Sequence, residues 1–87
     1  MIVPTPVAIA ANTWVKVLTN VQDGMVWVLD TDPAYMFDTV ATGSAAPTGT
    51  STGAPLPLPG LPVSSSVPID VYVYAVNDSG KVRVSAP

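Results

Sequence analysis

The stretch IDVYVYAV at residues 69–76 alternates with a period of two. Ile69, Val71, Val73 and Ala75 fall on one side, and Asp70, Tyr72, Tyr74 and Val76 on the other. Successive side chains leave a strand on opposite faces, so this period, with its β-branched and aromatic content, specifies a β-strand. NDSG at 77–80 supplies turn formers, and KVRV at 81–84 returns with Val82 and Val84 inward and Lys81 and Arg83 outward. The expected unit is an antiparallel hairpin in which 81–84 folds back on 69–76.

The same signals extend towards the N-terminus. VAIA at 7–10 reads as a short first strand, and TWVKVLTNV (13–21) and MVWVL (25–29) as two more. Between the latter lies Asp23-Gly24, a strong two-residue turn signal, so these two strands are expected to form a hairpin. AYMFDTV (34–40) follows DTDP, where Asp30 or Asp32 can close a turn through its carboxylate and Pro33 fixes φ. Glu is absent, and Pro or Gly interrupts every long window, which removes helices from consideration. The expected fold is all-β, a small antiparallel β-sandwich or barrel of about five to seven short strands.

Several strands are apolar on both sides. In MVWVL, Met25, Trp27 and Leu29 oppose Val26 and Val28. A strand buried on both faces belongs inside a layered structure or under a neighbour. One short chain offers few strands for layering, so the second face is expected to contact another subunit.

Residues 41–68 are different in kind. These 28 residues hold six of the ten prolines and four of the six glycines. The whole chain, 1–87, reads as a single β domain, with 41–68 as a long Pro/Gly/Ser/Thr-rich loop or arm. Its first part, ATGSAAPTGTSTGA, is small and polar; its second, APLPLPGLP at 54–62, is not. Closely spaced prolines favour an extended polyproline-like path, and at about 3.1 Å per residue PLPLPGLP spans roughly 25 Å. Leu56, Leu58 and Leu61 then need a surface to cover them. A plain linker would lack leucine, and a PxxP ligand would carry a basic anchor, whereas no Lys or Arg lies between Lys16 and Lys81. An arm docked on a neighbouring subunit is the best of the three readings.

Composition points the same way. A domain of 87 residues hides only about 60% of the surface its unfolded chain exposes. Disulfides, a metal or oligomerisation usually compensate, and the chain has neither Cys nor His. Charged residues are 10% of the total, against about 25% in an average domain, while apolar residues are 48% and mean hydropathy is +0.44. Disorder does not suit such a chain, and neither does life as a free monomer. Lys16, Lys81 and Arg83 are its only cations in a net charge of −3, too few and too scattered for a nucleic-acid backbone. MIVPTPVAIAANTW lacks a basic leader region and is broken by Pro4 and Pro6, so neither a secretory signal nor a membrane span is expected.

Chemistry-bearing patterns are sparse. Without His, Cys or Glu the ready bases and thiolates are missing, and Ser64-Ser65-Ser66 has no base beside it. Asp30 and Asp32 could act as an acid–base pair or offer oxygens to Ca²⁺, but the pair lacks the glycine and distal glutamate of a recognised loop. Turn chemistry accounts for both, and no catalytic, metal or cofactor residue is assigned. Trp14, Trp27, Tyr72 and Tyr74 suit core or interface packing, with a sugar platform as the competing use. Tyr72 and Tyr74, beside Asp70, are expected on a partly wet contact surface. The candidate interface is therefore Trp14, Trp27, Leu56, Leu58, Leu61, Tyr72 and Tyr74.

In order, TWVKVLTNV, GSAAPTGTSTGAPLPLPG and IDVYVYAVNDSGKVRV resemble stretches of small virion structural proteins of tailed bacteriophages. In those proteins a loop of the form AAPT…G.PL.P precedes a DVYVYA…GKVRV hairpin. The resemblance covers most of the chain and implies a small β-sandwich or barrel present in many copies on the particle. It implies a symmetric homo-oligomer, a trimer by preference, made in the host cytoplasm and carried on the virion beside proteins such as the major capsid protein. Capsid decoration is the preferred position, with neck, tail or fibre base as alternatives. A carbohydrate-binding or adhesion module is the competing class. Neither nucleic acid nor membrane is an expected partner, and edge strands added to neighbouring sheets would supply affinity.

Overall fold

The computed structural model describes residues 5–31, 33–49 and 53–86. Among these there is no helix. Six strands, β1 (Thr5–Ile9), β2 (Trp14–Val28), β3 (Ala34–Ala41), β4 (Ala54–Pro55), β5 (Gly60–Val76) and β6 (Gly80–Ser85), form one sheet in the order β1-β6-β2-β5-β3-β4. All neighbouring pairs are antiparallel.

Two long strands organise it. The first half of β2 pairs with the second half of β5 (Trp14↔Tyr74, Val15↔Val73, Lys16↔Tyr72). The second half of β2 pairs with the first half of β5 (Asp23↔Ser64 through Trp27↔Gly60). Between these blocks the register shifts three times, from Lys16 to Asp23, and Asn20 has φ 55°. Such bulges bend a strand and raise its twist. One of them brings the consecutive residues Val17 and Leu18 to the buried side together. The sheet therefore bends near residues 18–23 and 64–69. β3 and β4 extend one half; β6 and β1 extend the other.

Both halves share one core. Ile9, Val17, Leu18, Val26, Tyr35, Leu56, Val63, Val71, Val73, Ala75 and Val82 form a single cluster. At the end away from the bend, Tyr35 ties the halves. Its hydroxyl donates to the Asp30 carbonyl and accepts the Lys81 N–H at 3.1 Å, and its carbonyl accepts the Leu56 N–H at 3.0 Å.

Three expectations need correction. Asp23-Gly24 is not a turn: β2 runs through it, with Gly24 opposite Val63. A Cβ on Gly24 would lie 2.9 Å from the Ser85 carbonyl oxygen, so glycine serves a close approach of the C-terminal strand, not a reversal. Nor does 81–84 fold back on 69–76. Both sides of that segment are taken by β2 and β3, and β6 instead pairs with β1 and with Met25–Val28 of β2. Finally, the loop does not extend to Pro68, because β5 already begins at Gly60. The alternation of 69–76 does hold, and β3 spans the expected stretch with one residue more.

The free strand edges share a property. Pro6 lies in outermost β1, Pro55 in outermost β4, and Pro62 in the part of β5 that has a partner on one side only. The open side of β2 over its first half carries Lys16 and the bulge at Asn20, and β3 beyond β4 carries Asp38. Proline, charge and bulges each discourage a further strand from adding to an edge.

Candidate functional site

Two places on this framework gather side chains that the fold alone does not require. The first is the outward side of the β2–β5–β3 half. Cross-strand pairing sets Trp14, Tyr74 and Met36 in one row and Lys16, Tyr72 and Asp38 in the next, with Asp70 following Tyr72 along β5. Trp14 and Tyr74 rings meet at 5.2 Å with planes tilted by 52°. Lys16 Nζ stands 5.7 Å from the Tyr72 ring centre, within cation–π range.

This side is covered by the chain itself. The Trp14 indole N–H donates to the Gly49 carbonyl at 3.0 Å. A Cβ on Gly53 would sit 2.6 Å from the Met36 terminal methyl and 3.1 Å from the Trp14 ring, so the backbone at Gly53 packs closely here. Asp70, 1% exposed, accepts the Asn20 N–H at 2.9 Å and the Thr42 hydroxyl at 3.4 Å through Oδ1, while Lys16 Nζ lies 3.5 Å from Oδ2. One carboxylate thus joins the bulge of β2 to the start of the 41–53 segment. The Asn20 N–H holds the Asp70 carboxyl below the usual carboxylate value; burial opposes this, and the Gly43 backbone and Lys16 add to it.

The second place is the end opposite the bend. The Val28 N–H donates to the Pro59 carbonyl at 3.0 Å, closing the β2–β5 ladder, and Leu29 and Leu58 follow at that same end. They are 43% and 67% exposed. Beside them a groove of about 200 Å³ is lined, among the described residues, by Thr31, Pro33, Ala34, Tyr35, Pro55, Leu56 and Leu58.

The sequence-predicted interface residues do not form one surface. Trp14 and Tyr74 meet, as described. Trp27 belongs to the other half of the sheet, opposite Gly60 and Arg83, where a Cβ on Gly60 would meet the Val26 carbonyl oxygen at 2.6 Å, the Met25 methyl at 2.9 Å and the Trp27 ring at 3.3 Å. Tyr72 is 5% exposed and Asp70 is buried, so the partly wet surface expected there is instead a covered one. Leu56 is 7% exposed and belongs to the core of its own chain; Leu58, two residues on, points out. Leu61 is half-buried and lines a second cavity of about 250 Å³ with Phe37, Val63 and Ile69. Sequence reasoning missed Leu29, Pro33, Tyr35 and Pro55 as neighbours of Leu58. The pairing of β4 with β3 and the Val28–Pro59 hydrogen bond bring them to one end.

Ser64–Ser66 lie in β5 near the bend, where Ser64 pairs across the sheet with Asp23. Asp32 of the Asp30/Asp32 pair lies outside the described residues. Among the described residues no three of His, Cys, Asp or Glu gather as metal ligands. Comparison with protein-family models, curated proteins and solved structures finds no match to this chain.

Proposed function

We propose that the chain is a non-enzymatic structural protein of a tailed-bacteriophage virion, a subunit of a symmetric homo-oligomer that decorates the capsid beside the major capsid protein. In this reading its bent sheet is a small β-sandwich or barrel repeated in many copies. The observation that carries the proposal is the apolar end formed by Leu29, Leu58 and their groove, on a chain with only three basic and six acidic residues. Exposed apolar patches of this kind mark contact sites. The likeness of three stretches to virion structural proteins supplies the setting.

The blunted edges bear on how contact is made. Side-chain surfaces and the apolar end, not strands added to a sheet, are the parts suited to it. The aromatics favour no sugar platform: Trp14 and Tyr74 are tilted against each other and Trp14 already donates to Gly49. The test is quantitative mass spectrometry of gradient-purified particles from a phage encoding this sequence. The chain is expected in many copies per particle, and its absence from intact particles defeats the proposal.

A further inference from the structure

We infer that the outward side of the β1–β6–β2 half is a two-fold contact between copies of this chain, in which Asp23 of each copy meets Lys81 and Arg83 of the other. The inference deepens the oligomeric part of the reading above and rests on it, but not on where in a virion the oligomer sits.

Alternation and register define the face. Val26 and Val82 are fully buried in the core, so Asp23, Met25 and Trp27 of β2 and Lys81 and Arg83 of β6 project to the other side. Pairing sets Pro6, Arg83 and Trp27 in one row across three strands. Asp23, Lys81, Arg83 and Pro6 are exposed, and Met25 and Trp27 are half-buried. Trp, Met and Arg are side chains that protein contacts favour.

Charge selects the occupant. No ion pair joins Asp23, Lys81 or Arg83 to another described residue; the pair the fold does form is Lys16–Asp70. Nor can the three satisfy one another. Asp23 precedes Trp27 by four strand residues, roughly 13 Å at about 3.3 Å each, and Arg83 stands opposite Trp27. The face is therefore negative at one end and positive at the other, joined by Met25 and Trp27. A partner surface of one sign would suit one end and repel the other. A second copy turned by a two-fold rotation answers both ends at once, because it presents the same patch reversed. The axis then passes near Met25, where the two apolar middles stack at roughly the 10 Å spacing of packed sheets.

The experiment is sedimentation equilibrium of the full chain from about 1 to 100 μM, for the wild type, D23R, R83D and the double variant D23R/R83D. The wild type is expected to be a dimer. Each single exchange should weaken it by about 10-fold or more, since two-fold symmetry turns two attractions into two repulsions. D23R also lowers the net negative charge of −3, which eases general repulsion, so its loss has to be local. The double variant reverses both ends and should recover most of the affinity. Circular dichroism of each variant must show the wild-type spectrum. Where an exchange fails to fold, D23N or R83Q, which keep side-chain size, repeats the measurement with a smaller expected loss. A wild type of any other stoichiometry, single variants that dimerise as the wild type does, or a double variant no tighter than the singles overturns the inference. The particle experiment is independent, so a chain found on virions yet monomeric in isolation would remove this contact and spare the virion reading.

Discussion

The two halves of β5 are one continuous strand with opposite situations. Residues 69–76 have β2 on one side and β3 on the other, and both faces are covered: Val71, Val73 and Ala75 by the core, Asp70 and Tyr72 by Lys16, Asn20 and Thr42. Residues 60–66 have β2 on one side only, and Gly60, Pro62 and three serines dilute their apolar content. A strand segment draws its stability from cross-strand pairs and from burial, so the difference places the rigid part of the molecule beyond the bend. The first half of β5 is held chiefly through Val63 and the ladder to β2.

Substitutions break this comparison in order of size. Val73→Asp buries an uncompensated charge at a fully enclosed position between two partner strands. It is expected to remove the cooperative melt altogether, because total stability is only about 5–15 kcal/mol. Leu56→Ala is expected to cost about 2–4 kcal/mol in chemical denaturation. It removes a core side chain supplied by the stretch that looks most like a free arm. Leu58→Ala, two residues away, should cost less than about 0.5 kcal/mol of the monomer's stability. Equal costs at 56 and 58 would show that this segment does not dock on its own chain. Val73→Ala against Val63→Ala sharpens the contrast within β5, with about 1 kcal/mol more lost at Val73.

The acid limb of stability probes the covered side. The Asp70 carboxyl is held down mainly by the Asn20 N–H, so its folded pKa lies below the unfolded value of about 3.9. Its contribution is complete above the unfolded value and is lost as pH falls through the folded one. Wild-type melting temperature should therefore drop on acidification below about pH 4 more steeply than that of Asp70→Asn. The two should differ most at neutral pH and converge in acid; parallel curves would dissociate Asp70 from the effect. The smallest effect is read by amide exchange, where N–H groups of residues 60–66 should exchange faster than those of 71–75.

Local pattern carried much of this. The alternation at 69–76 was legible because one side chain in two meets the core, and β3 was legible from the turn formers of DTDP before it. The strand at 60–68 was not, because GLPVSSSVP has neither alternation nor β-propensity; its partner, the second half of β2, imposes it. Asp23-Gly24 misled because a glycine needed for close approach reads like a glycine needed for a turn. The pairing of β6 with β2 in place of β5 depends on which edges are already occupied, a property of the whole sheet. As for the site, Leu58 and Leu61 were named from the proline-rich run, but Leu56 and Leu58 are indistinguishable by type. Their opposite fates are decided by the Leu56 N–H reaching the Tyr35 carbonyl.

The prolines at 6, 55 and 62 have a consequence for a polypeptide with so few charged side chains to keep copies apart. Cross-β fibrils grow by stacking identical strands through their exposed amides, and each proline deletes one amide from the template. A protein so equipped can be crowded at high local density while still held apart from amyloid, which lets its solubility rest on backbone chemistry instead of ionic side chains.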